Sequence, residues 1–114
     1  MTEVELSSGR DGTLKKFKAN GHADFSRKGT DIVCSAVTIL ARTALQTLSQ
    51  YEDVELSTGN TVRGKIEFSV HKKSVNPELD IRLKTVSDFL KNGFTSLSEE
   101  FPENVKVNLI LTEA

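Results

Sequence analysis

The chain has 114 residues, 37% of them apolar and 27% charged, and its formal net charge is −1. These figures predict one soluble domain over residues 1–114 with a core of its own, and they argue against a surface built for nucleic acid. One cysteine and two histidines exclude an internal disulfide and a structural zinc site closed by this chain alone.

Nothing in the sequence reads as a membrane span. The start, Met1-Thr2-Glu3-Val4-Glu5, is acidic and alternating, unlike a secretory leader, so a cytoplasmic protein is expected. Residues 3–6 alternate with period two, Ser8 to Gly12 is rich in turn formers, and a second extended run covers Thr13 to Asn20. This predicts a β-hairpin. Leu14 is out of phase with Phe17 and Ala19, which calls for a bulge between them.

From Asp31 the period changes. Ile32, Val33, Ala36, Val37, Leu40, Ala41, Ala44, Leu45 and Leu48 form one apolar stripe of a helix. Its first turn carries Thr30 and Asp31, both suited to capping. The breadth of the stripe makes this the expected central helix of the core. A second hairpin follows, Asp53–Ser57 and Val62–Val70, around Thr58-Gly59-Asn60. Asn76-Pro77 then starts a second helix with proline at the first helical position. Leu79, Leu83, Val86, Leu90, Phe94 and Leu97 mark its apolar face, Gly93 is a weak point, and Pro102 ends it. Val105, Val107, Leu109 and Leu111 alternate as a last strand. The order ββ-α-ββ-α-β predicts an α+β fold, one antiparallel or mixed sheet with two helices packed on it.

Cys34, the single thiol, falls near the start of the first helix, at the edge of its apolar stripe. Free backbone N–H groups and the positive helix end favour a thiolate there and could hold an oxyanion. A nearby Asp31 carboxylate opposes this unless it is engaged as a cap. His22 ends the extended run before the helix, and a polar loop with Gly29 joins the two, a connection able to bring imidazole to sulfur. The residues alone leave two readings open, an activated nucleophile or a small buried apolar side chain beside a loop histidine. A redox thiol lacks a resolving cysteine, and a metal site from His22, Asp24 and Cys34 is the weakest reading. His71 follows Val70 in the opposite phase, beside Lys72 and Lys73, and is expected to be exposed. Lys15, Lys16, Lys18, Arg27 and Lys28 make a basic neighbourhood near His22, a solvated face or an aid to the thiolate.

Gly21-His22-Ala23, followed after eleven residues from His22 by Cys34 within Gly29-Thr30-Asp31-Ile32-Val33-Cys34-Ser35-Ala36-Val37-Thr38, resembles the signature of the ribosomal-processing cysteine proteases, the Prp family. Position 35 is Ser where many relatives carry Ala. The resemblance implies a cysteine endopeptidase that removes a short N-terminal extension from a large-subunit ribosomal protein. It implies Cys34 as nucleophile, His22 as general base and acid, no cofactor or metal, and a homodimer. It further implies a mobile loop over the site, residues 23–30, in which Phe25 and Gly29 are expected to meet or admit the apolar extension. Asp31 is expected to be a helix cap sooner than a catalytic third member. The alternative is a non-catalytic ribosome-associated or peptide-binding module of the same fold.

Overall fold

In the computed structural model, residues 1–21, 30–59 and 64–112 are described, with Thr30 and Asp31 described in backbone only. The elements are β1 (Thr2–Ser8), β2 (Leu14–Asn20), α1 (Thr30–Ser49), β3 (Val54–Thr58), β4 (Lys65–Lys72), α2 (Pro77–Glu100) and β5 (Val105–Leu111). The five strands form one sheet in the order β3-β4-β2-β1-β5. All neighbours are antiparallel except β1 and β5, which run parallel. The sheet is therefore mixed, with two helices packed on it, as the element order predicts.

The out-of-phase Leu14 has a local cause. Ser7 faces Lys16 and Ser8 faces Leu14, so Lys15 is the extra residue of a bulge. The bulge resets the alternation and lets Leu14, Phe17 and Ala19 all be buried. Phe17 then stands at the centre of the core. Its ring lies 5.3 Å from that of Phe68 on β4 and 5.3 Å from that of Phe94 on α2. Burying each such ring contributes about 1.5–3 kcal/mol from area alone.

The helices divide the sheet differently from expectation. It is α2 that crosses the central strands, contacting β1, β2 and β5, whereas α1 packs over β3 and β4. The reason is the larger side chains of α2: Leu79, Leu83, Leu90, Phe94 and Leu97 are buried, against Val33, Val37, Ala41, Ala44 and Leu48 on α1. A buried hydrogen bond of 3.0 Å between the Ser8 and Ser87 hydroxyls pins α2 to β1. Gly93 does not interrupt α2, and it faces the Leu40 side chain of α1. At the start of α2, Asn76 Oδ1 accepts hydrogen bonds from the backbone N–H groups of Glu78 (3.0 Å) and Leu79 (3.3 Å), as the Asn-Pro pair predicts.

Two further details depart from the sequence reading. Leu109 and Leu111 alternate correctly but stay exposed, because β5 is an edge strand. The stretch Ile32–Ser49 of α1 is long and apolar enough to cross a membrane by composition. Its buried side, however, packs on the sheet as part of the core, and Ile32 and Ile39 on its other side are exposed.

Candidate active site

The polypeptide reaches the site through a glycine. Gly21, directly after β2, adopts φ +143°, a conformation side chains disfavour. A Cβ there would collide with the Met1 carbonyl oxygen and lie 2.8 Å from Thr2 Cα. The Gly21 N–H donates to the Gly64 carbonyl at 3.0 Å, tying the end of β2 to the start of β4. The residue before His22 is thus held on two sides by backbone.

Gly21 and Cys34 line the same groove, of about 510 Å³, between α1 and the ends of β2, β3 and β4. Cys34 is the fifth residue of α1 and half-buried, at the edge of the apolar stripe as its helical angle requires. Side chains on a helix lean toward its N-terminus, so the thiol sits over the first turn, where backbone N–H groups lack helical partners. Thr38 and Arg42 follow at steps of four on the same flank and also line the groove, with Leu45 beyond them. Thr58 and Gly59 at the end of β3, and the start of β4 through Glu67, line the opposite wall. The Glu67 carboxylate is held by Lys16 Nζ at 3.1 Å and Lys65 Nζ at 3.3 Å. Hydrogen bonds from Lys16 first, then Lys65, keep this carboxyl below its ordinary range, so it stays charged.

Of the residues singled out in the sequence, Cys34 is on the groove wall. His22, Asp24, and Phe25 and Gly29 with the loop they belong to, lie outside the described residues, as do Arg27 and Lys28. Asp31 falls in the first turn of α1, its side chain not described. His71 is exposed on β4, opposite Glu55 and away from the groove lining. Among the described residues no group of three His, Cys, Asp or Glu could hold a metal ion. Thr38 and Arg42 were open to detection from their helical spacing to Cys34. The β3–β4 wall carried no such signal, since only tertiary packing brings it to α1.

The model of the cysteine protease Prp family matches residues 1–106. A search of curated proteins finds no match. Among solved structures, SMU.848 from Streptococcus mutans is similar at a TM-score of 0.77 and 23% identity, covering 98% of this chain and 96% of that one. The essential ribosomal processing protease Prp from S. aureus, in complex with a substrate peptide, is similar at a TM-score of 0.75 and 17% identity, covering 96% and 99%. The same S. aureus protease with a covalently linked product peptide gives a TM-score of 0.71 and 21% identity, covering 96% and 99%. At these identities the structural likeness speaks for the fold.

Proposed function

The chain belongs to the cysteine protease Prp family, and from that premise we propose that it is a cytoplasmic cysteine endopeptidase that trims a short N-terminal extension from a large-subunit ribosomal protein. The observation that carries the reading is the position of the only thiol: Cys34 lines a groove that can receive an extended peptide, and Gly21 of the Gly-His-Ala motif lines it too.

In this mechanism His22 takes the Cys34 Sγ proton, and the sulfur attacks the carbonyl carbon of the scissile bond. The free N–H groups at the start of α1 stabilise the oxyanion of the tetrahedral intermediate. The intermediate collapses to a thioester as His22 gives its proton to the leaving amine. Water, deprotonated by His22, then hydrolyses the thioester and frees Cys34. The reading also gives Phe25 the role of meeting the apolar residues of the extension. The reading includes a homodimer, supported by the exposed Leu109, Ile110 and Leu111 on the edge strand β5.

The test is intact-mass analysis of an extended ribosomal protein incubated with the enzyme. The wild-type protein removes the extension, and Cys34→Ala, still folded by circular dichroism, does not. His22→Ala lowers the rate by about 10² to 10⁴, the usual worth of general acid–base help, whereas His71→Ala leaves it unchanged. Cleavage by Cys34→Ala at the wild-type rate would refute the assignment.

A further inference from the structure

The sheet has two edges, and one of them borders the groove. The strand order ends at β3, which pairs with β4 on one side only. Its register shows which backbone groups are left over. Gly59 N–H donates to the Glu67 carbonyl at 3.0 Å, and Lys73 N–H donates to the Asp53 carbonyl at 2.8 Å. Gly59 and every second residue back to Asp53 therefore turn their N–H and C=O groups toward β4. The residues between them point theirs outward. Val54 N–H goes to the Tyr51 carbonyl at 3.4 Å, whereas no hydrogen bond from a described residue reaches the outward groups of Leu56 and Thr58. Thr58 and Gly59 line the groove together with Cys34, and no residue of β5, the other edge, does so. β3 holds neither proline nor lysine and its register with β4 is unbroken, so none of these devices blunts the edge.

We propose that β3 binds the peptide substrate as a sixth strand of the sheet, through the N–H and C=O groups of Leu56 and Thr58. This rests on the reading of the groove as the place of peptide cleavage, and it names what one wall recognises: main chain in extended form. Leu56 and Thr58 are one strand repeat apart, ~6.6–6.8 Å, the spacing at which an added strand presents its own alternate backbone groups. Each of the two residues offers one donor and one acceptor. The peptide can run in either direction, since parallel and antiparallel pairing use the same groups of β3. Side chains of an added strand alternate, so every second one turns toward the flank of α1 that carries Cys34 and Thr38, and the others turn away from it.

Exchange of backbone N–H groups with water, followed residue by residue by NMR on Cys34→Ala protein, tests the pairing apart from cleavage. The probe is a synthetic peptide spanning the junction between the extension and the mature ribosomal protein. In the free protein Leu56 and Thr58 exchange fast, while Ser57 and Gly59, bonded to β4, exchange slowly. Saturating peptide slows Leu56 and Thr58 by roughly tenfold or more. Peptides N-methylated at one residue at a time are then compared by fluorescence anisotropy. Methylation weakens binding about fivefold, the worth of one hydrogen bond, at every second residue of the paired stretch and little between. Thr58→Pro removes an outward donor but keeps the bonds to β4, and it weakens the unmodified peptide by a similar factor. Unchanged exchange at Leu56 and Thr58 under saturating peptide, or no binding of the peptide, overturns the proposal, whether or not Thr58→Pro folds. Slowed exchange with a peptide that the wild-type protein does not cleave strikes the peptidase reading alone. Cleavage without slowed exchange strikes the sixth strand alone.

Discussion

At the scale of single residues, the glycine before His22 is as constrained as any side chain in the groove. Gly21 has φ +143°, and the space where a Cβ would stand is occupied by the backbone of Met1 and Thr2. Backbone cannot yield as the tip of a side chain can. Gly21→Ala therefore has to displace the start of β1 or rotate out of its own conformation, and either change moves the point from which the following residue departs. The expected result is a loss of more than ~1 kcal/mol in urea unfolding, together with a fall in cleavage larger than the fraction unfolded explains. A variant with wild-type stability would show that β1 accommodates the methyl group freely. The Gly-His-Ala pattern was legible in the sequence, but the reason for its glycine was not, because the obstructing atoms belong to the other end of a hairpin.

At the scale of elements, period and capping carried most of the information. The Asn76-Pro77 pair marks the start of α2, and Asn76 adopts the extended backbone that a following proline favours, at φ −147° and ψ 108°. Its side chain caps two backbone N–H groups and donates to Asp53 Oδ2 at 3.4 Å. Asn76→Ala is expected to cost about 1 kcal/mol, read as a lower urea midpoint at unchanged slope. Asn76→Asp keeps the cap acceptor but sets a second carboxylate beside Asp53, and recovers less than the full loss. The bulge at Lys15 was equally legible, since three apolar residues can share a face only if one residue is skipped. Less visible was the division of the sheet between the helices. A broad stripe on α1 suggested centrality, yet its buried residues include two alanines, and the bulkier face of α2 took the middle of the sheet.

At the scale of the whole molecule, the parallel pairing of β1 with β5 is the feature that local pattern could not supply. It joins the beginning and the end of the fold, and its register depends on where α2 returns the chain. The groove likewise exists only because β3 and β4 fold back toward α1. Another long-range link lies away from the groove. Lys72 Nζ reaches Asp11 Oδ2 at 3.3 Å and Asp80 Oδ1 at 2.9 Å, joining the β1–β2 turn, the end of β4 and the first turn of α2.

That link has a predictable pH dependence. The Asp11 carboxyl is lowered from 3.8 to about 2, chiefly by the hydrogen bond from the Thr13 hydroxyl and then by the Thr13 backbone N–H, with smaller help from Lys72. Because the folded value is depressed, the unfolded chain binds the proton more readily. The stabilisation is therefore complete above about pH 4 and is lost as pH falls toward 2. A shift of nearly two units would be worth about 2.5 kcal/mol at face value. The Asp11 side chain is 47% exposed, so solvent screening reduces this to about 1 kcal/mol. The Lys72 ammonium is raised above 10.5, chiefly by Asp80, so its contribution holds across neutral pH and fails only above that value. Asp11→Asn preserves the size of the side chain and a neutral acceptor for Thr13 but removes the charge. At pH 7 the variant should melt about 4–8 °C lower than the wild-type protein. Other carboxylates titrate alike in both proteins, so the difference between the two melting curves isolates Asp11. That difference should shrink from pH 4 downward and vanish near pH 2. If it stays constant across the range, packing in the turn, and not the charge of Asp11, holds these three elements together.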